Sequence, residues 1–321
     1  MSAAISCAFV LGAGFGTRLR PLTDSIPKPL VPIFNKPLIS FAFDHLIVAG
    51  VERLVVNTHH KPEAYTRFPG EKNGRAEYRA KEVLFRHEAV LLETGGGIKN
   101  AADLLGDEPF LVYNGDVLAD FPLERLIDAH RCSGNIATLA LRSTGAERRI
   151  RFDPQSGLIT DIRELIGGRN EPEFLFTGAS VISPEVCHHI KSGEVISIIP
   201  VLVDLMKSGA RVGGVVVDEG VWFDIGNIDA YVAVHKTLAS RRHIFSYLPP
   251  EWMVPIDPSA SIDKAANILG ATVIGKGATV GFGAFLENAI VWPGEHVAPG
   301  AKVVDAVVAN GQISQASTGR D

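Results

Sequence analysis

The chain has 321 residues, 46% hydrophobic and 21% charged, with a formal net charge of −5. That length accommodates one large domain and a smaller one, and the composition is that of a soluble globular protein. The mild acidity excludes the basic footprint of a nucleic-acid binder, and no apolar run is long enough to span a membrane.

The apolar run 5–11 reads as a first strand, because no basic region precedes it as in a signal peptide. It ends in a glycine-rich segment. Residues 37–49 read as a helix, with Asn35 near its start, Pro37 in its first turn and Gly50 beyond its end. Ile39, Phe43, Leu46 and Ile47 form its apolar face. Residues 53–57 are the next predicted strand. A helix over 97–105 is expected to follow a glycine turn and stop at Gly106. The strand 110–113 then leads into Asn114-Gly115-Asp116. This βαβα order implies an α/β fold: a mainly parallel, Rossmann-like sheet with helices on both faces. Ligands bind such sheets outside the carboxyl ends of the strands, where both the glycine segment and Asp116 fall. Residues 135–217 are more strand-like, with turn signals at Asp153-Pro154 and Gly167-Gly168. Cys7, Cys132 and Cys187 are too widely spaced for a metal cluster and read as reduced thiols, as in a cytoplasmic protein.

The first composition shift comes near residue 245 and separates a domain 1–245 from a domain 246–321. In the second, apolar residues recur every six positions: Ile256, Ile262, Ile268, Ile274, Val280, Leu286 and Trp292. A small residue stands two before most of them, at Ala260, Ala266, Thr272, Ala278 and Ala284. This is the pattern of a hexapeptide β-helix, each unit forming one side of a triangular coil. A short left-handed β-helix is therefore expected, with just under three turns over 256–304. Its exposed ends and edges suit self-association, so a homo-oligomer is expected. Its shortness and its lone candidate base, His296, weigh against acyl transfer on the coil.

The segment 10–38 is the most informative. Gly12, Gly14 and Gly16 allow a tight turn and close backbone approach to a ligand. Bare N–H groups in such a turn form an anion-binding concavity, to which Arg18 and Lys28 add full positive charge. Thr17 and Arg18 after Gly16 rule out the G-K-[ST] ending of a P-loop. The G-x-G-x-G spacing, the early Pro21 and the absence of an acid after the next strand rule out a dinucleotide fingerprint. The segment is built for a nucleoside triphosphate.

GAGFGTRLRPLT followed by PKPLVPIFNKPLI resembles the signature of the sugar-1-phosphate nucleotidyltransferases. LLETGGGIKNA (91–101), YNGDV (113–117), FTGASVISPEV (176–186) and WFDIGNIDAY (222–231) follow in that family's order. The resemblance implies an NTP, a sugar 1-phosphate and Mg²⁺ as reaction partners. It implies catalytic roles for Arg18 and Lys28, and magnesium ligation by Asp116 and Asp224. Leu11, Gly12, Ala13, Gly14, Gly16, Thr17, Glu93, Thr94, Gly95 and Gly96 would bind the nucleotide. Asn114, Glu164 and Gly178 would bind the sugar. LETGGGI and NGDV lean towards UTP with an amino sugar 1-phosphate, with GTP and mannose 1-phosphate close behind. One departure stands out: where relatives carry a Glu-Lys pair, this chain has Glu164-Leu165, leaving Arg163 or Arg169 to replace the lysine.

Overall fold

The computed structural model describes residues 5–68, 71–167, 171–240 and 245–317. Arg169 and Gly168 lie outside them. By internal contact the chain divides into two units, Met1–Gly14 with Phe41–Trp222, and Phe15–Ser40 with Phe223–Asp321.

The first unit is built on a ten-stranded sheet. Its centre is parallel: Phe110–Asn114, Cys7–Leu11, Arg53–Thr58 and Lys81–His87 lie side by side in that order. Val10 is in register with both Val56 and Tyr113. Beyond this centre the sheet departs from the parallel expectation and is mixed. Glu173–Ile182 runs antiparallel to three strands, Phe110–Asn114, Ala137–Arg142 and, at its start, Ile150–Asp153. Ile150–Asp153 and Leu158–Ile162 form an antiparallel pair, as do Arg75–Tyr78 and Lys81–His87. Connection length explains the two local pairs: parallel neighbours need a crossover of a dozen or more residues, whereas Ile150–Asp153 with Leu158–Ile162 and Arg75–Tyr78 with Lys81–His87 join through short turns.

Both faces of the central strands are buried, as expected of parallel strands covered on each side. Phe9, Val55, Leu84 and Val112 share one core with Ile98, Ala101 and Leu105 and with the helix Ile198–Lys207. The alternate residues Ala8, Val10, Leu54 and Val56 are equally buried. On the face carrying Tyr113, His45 of the helix Ile39–Val48 meets the Tyr113 hydroxyl at 3.1 Å and donates to the Phe121 carbonyl at 2.8 Å. That helix starts later than its sequence suggests. Pro32–Ile33 and Lys36–Pro37 form a small antiparallel hairpin first, so Pro37 lies in a strand. The predicted helix 97–105 is also displaced. It begins at Glu93, takes Gly95, Gly96 and Gly97 into its body, and breaks at Ala101 before a short helix Ala102–Leu105. All three cysteines are free, and Cys7 and Cys187 are buried.

In the second unit, residues 256–309 visit three short parallel sheets in rotation. Ile262 stacks on Val280 and then Val297; Ile268 on Leu286 and Val303; Ile274 on Val291 and Val308. The sixfold repeat therefore holds through Leu286 and then slips by one. Val291, not Trp292, occupies the next inner position. Small residues keep the offset across the slip at Ala289, Ala301 and Ala306, while Glu295 stands two before Val297. Gln312–Gln315 closes the winding as an antiparallel strand on Ala306–Ala309. The same unit contains the helix Ile228–Ala239 and the 32–37 hairpin. His235, fully buried, joins them: its Nε2 accepts the Phe34 N–H at 3.1 Å and its Nδ1–H donates to the Tyr231 carbonyl at 2.8 Å.

Burial lowers the pKa of both His45 and His235 to about 4, although their carbonyl partners pull the other way. The unfolded histidines take up protons below about 6.5, which the folded ones refuse until about 4. Their stabilisation is thus complete above pH 6.5 and is lost as pH falls towards 4. The melting temperature should drop across that window, and His235→Gln should flatten the drop in a thermal denaturation series.

Candidate active site

The glycine turn at the end of the first strand is held by buried polar groups. The Gly12 N–H donates to Asn57 Oδ1 at 2.8 Å, and the Tyr65 hydroxyl donates to the Gly12 carbonyl at 3.0 Å. The Asn57 amide then donates to Glu88 Oε1 at 2.8 Å, while Glu88 Oε2 accepts the Leu92 N–H at 2.9 Å. Glu88 is only 1% exposed. A buried polar chain is stable only when its members are satisfied, and this one links the ends of two central strands to the start of the Glu93–Asn100 helix. A Cβ on Gly12 would stand 2.7 Å from the Asn57 carbonyl, so the fold itself requires that glycine. Ala13 is buried behind it, and Leu11 is half-buried with its carbonyl accepting the Gly115 N–H at 3.0 Å.

The Thr94-Gly95-Gly96 run has a similar internal explanation. The N–H groups of Gly95 and Gly96 both donate to the Ile196 carbonyl, and Thr94 Oγ1 accepts the Ile198 N–H. A Cβ on Gly96 would lie 2.2 Å from the Glu194 carbonyl oxygen, and one on Gly97 would lie 2.7 Å from Glu88 Oε1. These glycines let the helix pack directly on the 194–197 backbone. Glu93, by contrast, is exposed and sits at φ 60°, a left-handed conformation unusual for glutamate.

Asn114 and Gly178 are brought together. Gly178 has φ 86°, and a Cβ on it would meet Asn114 Nδ2 at 2.7 Å. Trp222 steadies this corner by donating its indole N–H to the Thr177 carbonyl at 2.8 Å. Asp116 is half-buried, two residues beyond Asn114. Glu164 lies elsewhere, on an exposed turn with φ 61°, and pairs with Arg151 at 3.4 Å.

In the second unit, Gly16 turns the chain at φ 62° into a short 3-10 turn, Thr17–Leu19, on which Thr17 and Arg18 are exposed. The Thr23 hydroxyl donates back to the Gly16 carbonyl at 2.9 Å. A Cβ on Gly16 would strike Lys28 Cβ at 2.9 Å. Lys28 is only 7% exposed, and its Nζ lies 3.9 Å from Asp224 Oδ1. The Arg18 guanidinium lies against Gly226: three of its atoms fall within 3.3 Å of where a Cβ would stand. Asn227 caps the helix that follows by accepting the Ala230 N–H at 2.8 Å. Arg18, Lys28 and Asp224 therefore converge around one strand-to-helix turn.

Asn57, Tyr65, Glu88 and Trp222 were not visible as site-building residues from sequence. A run of polar residues, Asn57-Thr58-His59-His60, at the end of an apolar strand was the available signal. Gly14 is the exception among the glycines of the turn. Among the described residues no atom lies within 4 Å of where its Cβ would be, and its φ is not positive.

Residues 7–241 match the family model described as nucleotidyl transferase. The chain belongs to that family. Relatives place it among the sugar-1-phosphate nucleotidyltransferases. It is 34% identical over 256 residues to the N-acetylmuramate alpha-1-phosphate uridylyltransferase of Caulobacter vibrioides, covering 74% of this chain and 99% of that protein. It is 29% identical over 309 residues to the mannose-1-phosphate guanylyltransferase of Mycobacterium tuberculosis, covering 92% of this chain and 82% of the relative. In fold, this nucleotidyltransferase is similar to the UDP-glucose pyrophosphorylase of Acinetobacter baumannii, with a TM-score of 0.63 at 18% identity over 75% of this chain and 95% of that one.

The glycines should separate in a melting experiment. Gly96→Ala forces a Cβ against backbone and should cost about 1–3 kcal/mol, whereas Gly14→Ala should stay within about 0.5 kcal/mol of the parent.

Proposed function

We propose that this nucleotidyltransferase joins an NTP to a sugar 1-phosphate, giving an NDP-sugar and pyrophosphate. An oxygen of the sugar phosphate attacks the α-phosphorus in line, the bond to the β-phosphate oxygen breaks, and pyrophosphate leaves with its electron pair. Catalysis of this kind rests on positioning two mutually repelling anions and stabilising transition-state charge.

The observation that carries the reading is the arrangement of Arg18, Lys28 and Asp224 around Gly226. Arg18 presents an exposed planar fork suited to phosphate oxygens. Lys28 is held in one place by burial, so its charge acts at a fixed point. Gly14, whose lack of a side chain the protein's own packing does not require, leaves backbone open to close approach by the nucleotide. Leu11, Gly12, Ala13, Gly16 and Thr17 complete that turn. Glu93, Thr94, Gly95 and Gly96 contribute the second nucleotide segment, with Gly95 and Gly96 acting through the shape of the helix they allow. By the resemblance, Asn114 and Gly178, which meet each other, and Glu164, on its separate exposed turn, would bind the sugar.

Asp116 is half-buried and Asp224 half-exposed; each offers hard carboxylate oxygens of the kind that suits Mg²⁺, and the resemblance assigns both as its ligands. When bound, the ion would neutralise charge on the phosphates. The leaning towards UTP with an amino sugar 1-phosphate rests on LETGGGI, and GTP with mannose 1-phosphate is the alternative. The rotating parallel sheets support a left-handed β-helix over 246–321, carried by a catalytic domain over 1–245 and suited to homo-oligomer formation. Free cysteines suit a cytoplasmic setting.

Pyrophosphate release with magnesium, measured for each common NTP against a panel of sugar 1-phosphates, tests the reaction and identifies both substrates. Silence across the panel would overturn it. With the active pair, Arg18→Ala and Asp224→Ala should each lower kcat by about 100-fold or more. Gly14→Ala should raise the KM for the NTP while leaving the melting temperature unchanged.

A further inference from the structure

The segment that carries Arg18 and Lys28 has no long helix or strand between them. Between them it consists of 3-10 turns, Thr17–Leu19 and Leu22–Asp24, ahead of a third, Lys28–Leu30. Such turns have few hydrogen bonds and open readily on their own. Within the second unit, however, the far end of the winding reaches this segment. Asn310 Nδ2 donates to the Pro21 carbonyl at 3.0 Å, and Asn310 Oδ1 accepts from the Ser25 hydroxyl at 2.5 Å. One side-chain amide thus grips the segment on both sides of the Leu22–Asp24 turn. The gripped residues lie three after Arg18 and three before Lys28.

Asn310 itself is held firmly. Asn310 and Gly311, at φ 54° and 69°, form the two-residue turn between Ala306–Ala309 and Gln312–Gln315. Asn-Gly is the pair such a hairpin turn favours, because both positions need positive φ. The Gly311 N–H donates to Glu295 Oε2 at 3.0 Å, anchoring the turn to the preceding coil.

The same unit holds the rest of the segment at two further points. Trp292, displaced from the inner stack by the slip in the repeat, donates its indole N–H to the Tyr231 hydroxyl at 3.1 Å; that hydroxyl donates to the Pro32 carbonyl. The Lys276 N–H donates to Asn35 Oδ1 at 3.0 Å. The residue that breaks the sixfold pattern is therefore one that the winding uses to hold its neighbours.

We infer that Asn310 is a positioning residue for the reaction, fixing the segment between Arg18 and Lys28 so that both cations are preset. The winding then acts on catalysis from within its own chain, apart from any role in assembly. This rests on the nucleotidyltransferase reading for its effect on rate, but not for its effect on the segment.

Asn310→Gly is the cleanest test, because glycine keeps the turn and removes the side chain. Hydrogen exchange in the full chain would be followed at Leu19, Asp24, Leu30 and Val31, whose amides bond within the segment. Those four should exchange about tenfold faster, while Gly281 and Phe285 in the winding stay unchanged. With the active substrate pair, kcat should fall about tenfold, with a smaller change in KM. Ser25→Ala, which removes one of the two holds, should give a milder version of both effects. Unchanged exchange at the four amides would overturn the clamp. Faster exchange with unaltered kcat would overturn its part in catalysis. If the parent enzyme turned over no pair at all, the proposed reaction would fall, and exchange alone would still decide whether the clamp exists.

Discussion

The first unit depends on what happens to one backbone N–H, that of Gly12. Where the first strand ends, its peptide groups lose their sheet partners, and a buried donor without an acceptor costs about 1–3 kcal/mol. Asn57 meets that cost with its side-chain oxygen and passes its own amide to Glu88, which accepts Leu92 in turn. Two strand ends and a helix start are therefore set by a single connected chain of side chains. Its members lie at or just beyond the carboxyl ends of parallel strands, which is where this class of sheet places its ligands. Removing Asn57 or Glu88 would leave its direct partners buried and without that bond.

The second unit solves a different problem, how to present cations without letting them wander. Lysine and arginine side chains carry roughly 2 kcal/mol of rotamer entropy each, and a flexible support would add to that. Here Gly16 folds the segment onto Lys28, and Thr23 ties it back to Gly16. Gly226 makes room for the Arg18 guanidinium. The 32–37 hairpin is pinned by His235 and Tyr231 of one helix, both fully buried. The charge is thus carried on a segment of irregular backbone ordered by its own short turns, by the burial of Leu19, Leu22 and Val31, and by side-chain bonds to its neighbours.

Much of this was legible beforehand. The strand into the glycine turn, the strand into Asn114-Gly115-Asp116, and the sixfold repeat from Ile256 to Leu286 follow from apolar patterning, which reports burial directly. The failures have equally plain causes. The helix start at Glu93 is hidden in the sequence because three consecutive glycines weaken a helix in isolation; close backbone packing on residues 194–197 offsets that cost here. The mixed character of the sheet is not legible in the sequence because strand direction depends on the connections, not on the residues in the strand. The slip at Val291 is hidden because Trp292, beside it, is also apolar and fits the sixfold spacing.

From sequence alone, this protein was determined as an α/β chain with a glycine turn, two candidate cations, two candidate metal-binding aspartates and a six-residue repeat. These are properties of residue type and spacing, and local chemistry suffices to read them. Only the tertiary structure decided which glycines serve the fold. Gly12 and Gly96 face backbone that would collide with a side chain, and Gly14 faces none within 4 Å. It also decided that Asn57 and Glu88 support the turn, and that Asn310, 289 residues further on, holds the Pro21 carbonyl. Such pairings join residues remote in sequence, and their energy exists only once the chain has brought both partners out of water.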